Sequence, residues 1–225
     1  MIENLETVLD KLNALNYDGR YQEALADVKM LLLQEQEESA LYVVKGYAEY
    51  GLGNFTQALD DFETAISLNP DDINARTNYA LALFELGRYV DGLNAADSAL
   101  FLDDTFAAAY VNGAHCLAAL GHIDMAIEYV QAAINTNAQD GDIVAHAATI
   151  LNDLDAYEAA RDAFMRAASL PTPPEGIHAK IADFFEESRQ KGVDRGQISR
   201  DIDVWRTTFA NNPEVFELVS RLLRA

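Results

Sequence analysis

Apolar residues along this chain recur at helical rather than strand spacing. They fall into segments of about 14 residues, and β-branched runs are sparse, so the pattern predicts helices throughout. The segments are punctuated with a fixed period. Gly19, Gly53, Gly87 and Gly121 stand 34 residues apart, and Asp155 occupies the next slot. Two residues after each stand Tyr21, Phe55, Tyr89, Ile123 and Tyr157. The next column is Ala24, Ala58, Gly92, Ala126 and Ala160. Behind it come Val28, Phe62, Ala96, Val130 and Phe164, then Leu31, Ala65, Ala99, Ala133 and Ala167. The glycine column suits a tight turn that needs a positive φ. The small-residue columns let paired helices approach closely, and the larger columns fill the gaps that remain. Asn69-Pro70-Asp71-Asp72 and Asp103-Asp104 separate one pair from the next.

On Tyr42, Gly46, Gly53, Phe55, Ala58, Phe62, Ala65 and Pro70, and on their recurrence in the units beginning near Ile73, Ala107 and Gly141, the chain resembles the tetratricopeptide repeat family. The resemblance implies an all-α, right-handed superhelical solenoid of antiparallel helix pairs. About six pairs and a C-terminal capping helix are expected, as one domain over residues 1–225. Regular repeats cover about 5–172, an irregular sixth pair about 175–211, and the cap about 213–224. Two departures stand out: Arg76 in a slot that is usually apolar, and Asp155 in place of the turn glycine. After Pro171, Pro173 and Pro174 the period fails. An insertion of seven residues would restore it, with Gly196, Ile198 and Trp205 in the turn, aromatic and Phe164 columns. That reading predicts a lengthened, protruding helix over 176–191.

Charge narrows the function. Acids outnumber bases 37 to 16, a formal charge of −21, which disfavours phosphate backbones and anionic membranes. No apolar run reaches the roughly 20 residues of a membrane helix, and the N-terminus has no secretory pattern, so a cytoplasmic protein is expected. Enzyme chemistry has little footing. His115 and His146 could approach each other, but a catalytic zinc site normally has three protein ligands, and no HExxH is present. Cys116 is followed by Leu117-Ala118-Ala119 and reads as a buried thiol. Gly51-Leu52-Gly53 is a repeat turn rather than a phosphate loop. No metal, cofactor or catalytic residue is expected.

The family resemblance implies that the first helix of each pair lines a concave groove that takes partner segments. By column, the lining residues are Val44, Asn78, Asn112, His146 and Lys180; Tyr47, Leu81, His115, Thr149 and Asp183; Tyr50, Phe84, Ala118, Asn152 and Glu186. An asparagine amide carries donor and acceptor and can hold a peptide backbone; the alternative for Asn78 and Asn112 is bonding from helix to helix. Tyr47, Tyr50 and Phe84 form either an aromatic hot spot or core filling. Residues 39–140 hold 14 acids against Lys45, Arg76 and Arg88, so no basic clamp for a carboxylate is available. The expected function is a protein-interaction scaffold for a neutral, apolar or basic segment. The alternatives are a cytoplasmic chaperone for a secreted or assembling protein, and a self-assembling structural scaffold. Residues 189–206 are the one basic stretch, with five cations against three acids, and could support salt-sensitive self-association.

Overall fold

The computed structural model describes residues 5–33, 38–137 and 139–223, which form thirteen α-helices and no strand. The all-α expectation holds. The chain divides into two compact units, residues 1–122 and 123–225.

Unit 1 holds α1 (Leu5–Tyr17), α2 (Tyr21–Leu32), α3 (Ser39–Gly51), α4 (Phe55–Leu68), α5 (Ile73–Glu85), α6 (Tyr89–Leu102) and α7 (Ala107–Ala119). Each helix packs against its successor, and α1, α3, α5 and α7 also touch in order, as stacked helix pairs require. The turn residues Gly53 and Gly87 have φ of 79° and 73°, which lets the following residue bond back into the helix just ended, as Asn54 N does to Glu49 O at 2.9 Å. Close approach rests on missing side chains. A Cβ on Gly46 would lie 2.6 Å from the Phe62 ring, and one on Gly92 would lie 2.8 Å from Cys116 Sγ. The second pair explains why Gly92 departs from the alanine column. Cys116 stands where the earlier repeats have Ala48 and Ala82, and the larger sulfur needs the smaller neighbour. Arg76 is no disturbance either. Its guanidinium bonds Pro70 O and Ser98 Oγ, clasping the loop before α5 onto α6.

Unit 2 holds α8 (Ile123–Thr136), α9 (Gly141–Asp153), α10 (Tyr157–Ala168), α11 (Ile177–Gln190), α12 (Arg195–Thr208) and α13 (Pro213–Leu222). The seven-residue insertion and the protruding helix are corrected here. α11 has 14 residues against 13 in α9, and the turn after it is made by Gly192 (φ 84°), not Gly196. Buried His178, Ile181, Ala182, Phe184, Phe185 and Ser188 of α11 lie 37 residues after Gly141, Val144, Ala145, Ala147, Ala148 and Leu151 of α9. In α12, Ile198, Ile202 and Trp205 lie 38 after Ala160, Phe164 and Ala167. The pair is therefore displaced by three and then four residues. The proline-rich connector, the helix and the turn absorb them. Asp194 caps α12, its side chain accepting from Gln197 N at 2.7 Å, so Gly196 lies inside the helix. The end of α11 is tied down: Arg189 donates to Leu222 O at 2.8 Å and Lys191 to Asn152 O at 2.6 Å.

Asp155 sits at φ 57°, in the region that costs an L side chain roughly 1–2 kcal/mol. Its carboxylate meets Lys191 at 2.8 Å but is 76% exposed, so the pair returns little. Asp155→Gly should raise stability by about 0.5–1 kcal/mol in a denaturant or thermal melt, after the extra chain entropy of glycine.

The core of unit 2 runs from Phe164 through Phe184 and Phe185 to fully buried Trp205, with successive ring centroids 5.3, 5.3 and 5.9 Å apart. Trp205 Nε1–H donates to Nδ1 of buried His178 at 3.3 Å. Protonating that nitrogen would set two donors against each other. Desolvation holds the His178 pKa below its ordinary value, with Glu214 opposing. The unfolded chain therefore takes up this proton first as pH falls, so the contribution is complete above about pH 6.5 and declines below it. Since Trp205 is the sole tryptophan, its fluorescence in denaturant melts should show stability falling from pH 7.5 to pH 5.5. His178→Gln should flatten that slope.

Candidate binding groove

A groove of about 320 Å³ opens in unit 1 between α1, α3 and α5. Leu9, Ala40, Val43 and Val44 give it an apolar lining. Asn13, Asn74 and Asn78 line it with Tyr47, and Asp72 stands at one end. The three amides come from helix geometry. Asn74 and Asn78 are four apart on α5 and share a face, and Asn13 faces them from α1. None of the three has a side-chain hydrogen bond among the described residues. Asp72 is engaged, accepting from Ala75 N at 2.9 Å as the cap of α5 and from Ser39 Oγ at 2.9 Å. Among the described residues, no lysine or arginine lines the groove.

The residues singled out from the sequence divide. Tyr47 and Asn78 line the groove. Burial pushes the Tyr47 hydroxyl pKa up. Tyr50 and Phe84 belong to helix-to-helix packing. The Tyr50 ring lies 5.2 Å from Phe55 and its hydroxyl donates to Glu85 at 2.9 Å; burial raises its pKa and the Glu85 contact raises it further. Phe84 sits 5.5 Å from both Tyr89 and His115. Leu81 and His115 are half-buried on α5 and α7.

Asn112 lies on α7, outside this groove. It is buried, and its Nδ2 donates to Thr77 O at 2.9 Å, the helix-to-helix bond that stood as its alternative. Asn16 does the same from α1 to Val44 O at 3.1 Å. In unit 2, Asn152 is likewise internal. It is buried, with Nδ2 donating to Glu187 at 2.7 Å. Thr149 is exposed and bonds only its own helix, at Ala145 O. His146 is exposed on α9; desolvation, followed by the Lys180 charge, lowers its pKa. The groove residues missed by the column reading are Leu9, Asn13, Ala40, Val43, Asp72 and Asn74. A signal was present, because Asn13 stands one period before Tyr47 in the same column.

No group of three His, Cys, Asp or Glu that could hold a metal ion occurs among the described residues. Cys116 is fully buried and its thiol pKa is pushed up to about 11 by burial, far from a nucleophile's range. No helix among the described residues is long and apolar enough to cross a membrane.

Sequence models of the tetratricopeptide repeat match residues 43–109 and 107–140. Residues 43–140 are tetratricopeptide repeats. The DnaJ homolog subfamily C member 7 homolog of Dictyostelium discoideum is 26% identical over 135 residues, 58% of this chain and 24% of that protein. A TPR repeat-containing protein of Methanocaldococcus jannaschii is 33% identical over 85 residues, 38% of this chain and 15% of that protein. The chain thus spans a quarter or less of these relatives. A crystal structure of a TPR protein from Thermus thermophilus superposes with a TM-score of 0.72 at 16% identity, covering 80% of this chain and 98% of the other. A tetratricopeptide repeat protein from Parabacteroides merdae gives 0.64 at 16%, covering 94% and 81%. At such identities the likeness shows the fold. Tetratricopeptide repeats generally mediate protein–protein interaction.

The geometry separates stabilising amides from free ones. Asn112→Ala removes the donor to Thr77 O inside the array and should lower the stability of the chain by about 1–2 kcal/mol. Asn13→Ala and Asn78→Ala should shift a thermal melt far less.

Proposed function

We propose that the chain is a non-enzymatic interaction module and that the groove of α1, α3 and α5 binds an extended segment of a partner protein. The observation that carries this reading is the trio Asn13, Asn74 and Asn78, whose amides have no hydrogen-bond partner among the described residues and line one groove with Leu9, Val43, Val44 and Tyr47. Each amide can give and accept one bond to a passing backbone, which reads main chain rather than sequence. Tyr47, 40% exposed, offers a rigid ring for one apolar side chain. Asp72 in the groove and the formal charge of −21 favour a neutral or basic segment over an acidic one. The cytoplasm is the compartment this reading fits.

One observation favours a chaperone-type variant of the same function, the likeness of residues in this chain to DnaJ homologs. In that variant the groove would hold unfolded client segments of many sequences rather than one defined motif.

Fluorescence anisotropy against labelled peptides of neutral, basic and acidic composition tests the proposal. Neutral and basic peptides should bind, and acidic ones should not. Tyr47→Ala should weaken binding about thirtyfold and Asn78→Ala by about three- to tenfold, with melting unchanged. Glu63→Ala, outside the groove, should have no effect. Equal binding by the Tyr47 and Asn78 variants would remove the groove as the site. Uniform binding of unrelated unfolded peptides would select the chaperone variant.

A further inference from the structure

The basic stretch 189–206 carries less free charge than its sequence shows. Arg189 bonds Leu222 O, Lys191 pairs with Asp155, and Arg206 pairs with Asp203 at 2.9 Å. A different surface of unit 2 is unsatisfied. α13 buries Val215, Val219 and Leu222 against α11 and α12. A second stripe, Phe216, Ser220 and Leu223, runs beside the buried one and faces water, with Phe216 72% and Leu223 59% exposed. An exposed phenylalanine and leucine on one helix face form an apolar stripe that association would remove from water.

We propose that this stripe pairs with the same stripe of a second copy, antiparallel, about a two-fold axis near Ser220. The charges on α13 specify that occupant. Glu217 and Arg221 lie four apart on the flank next to the stripe, with Glu214 a turn earlier. In an antiparallel pair, Glu217 of each copy meets Arg221 of the other, twice over, and Phe216 of each meets Leu223 of the other. A parallel two-fold pair would turn this flank of each copy away from the other's and leave Glu217 and Arg221 without that exchange. Ser220 at the crossing is small enough for close approach. A groove of about 590 Å³ along Glu214, Glu217, Leu218, Ser220 and Arg221 leaves room for the partner's flank. Arg221 pairs with Asp183 at 3.3 Å with both side chains at least 60% exposed, a contact readily exchanged. The interface is isologous and closes at two. One ten-residue helix falls short of the roughly 1,600 Å² of a standard interface, so the dimer should be micromolar or weaker.

Sedimentation velocity of the full chain over a wide concentration range tests this. The mass should rise toward twice 24.8 kDa and stop there. Phe216→Glu should weaken the dimer about thirtyfold or more. Glu217→Arg alone and Arg221→Glu alone should each weaken it severalfold, and the two together should restore it, an outcome that a general loss of folding cannot imitate. Asn78→Ala should leave it unchanged, which keeps this test separate from peptide binding. A monomer at every concentration, growth beyond two copies, a dimer indifferent to Phe216→Glu, or a charge swap that fails to restore pairing would each overturn the proposal.

Discussion

The close approach of paired helices is the constraint on which the rest of the structure depends. Phe62 lies over Gly46, and Cys116 faces Gly92, at distances that a single added methyl would close. Such contacts fix the separation of neighbouring helices, and separation fixes what else can reach across. At that spacing Asn112 on α7 reaches the Thr77 carbonyl on α5, and Asn16 on α1 reaches Val44 on α3. The first helices are thus bonded directly to one another by side-chain amides, in addition to apolar packing.

The same spacing leaves room where no side chain bridges. Around α1, α3 and α5 the amides of Asn13, Asn74 and Asn78 are directed into an open groove rather than onto a neighbouring carbonyl. The chemistry of Asn78 and Asn112 is identical, and so is their column in the repeat. Their roles differ because burial differs: Asn112 is 9% exposed and bonded, while Asn78 is half-buried and lines a cavity. Aromatic residues divide in the same way, Tyr47 toward the groove, Tyr50 and Phe84 toward other rings.

Unit 2 accommodates an irregularity by letting small shifts add up. Its sixth pair moves by three residues on the first helix and four on the second, so the buried faces stay aligned while the turn passes to Gly192. The enlarged side chains at this end, Phe184, Phe185 and Trp205, fill the volume that alanines take in earlier pairs. A buried histidine enters as the acceptor that the indole N–H needs.

The period of 34, the turn glycines and the small-residue columns were readable from the chain because each is a local requirement. A left-handed turn admits few residues, and a tightly packed helix pair admits few large ones. Those features determined the all-α paired-helix fold, the family resemblance and the burial of Cys116. The turn at Gly192 was misplaced because Gly196 satisfies the same composition, and only the backbone distinguishes a positive φ from a helical one. The division of the asparagines and aromatics between groove lining and bridging required the tertiary structure. Whether an amide meets a carbonyl or open space depends on helices that are neighbours in three dimensions, and a column of one-letter codes carries no record of that distance.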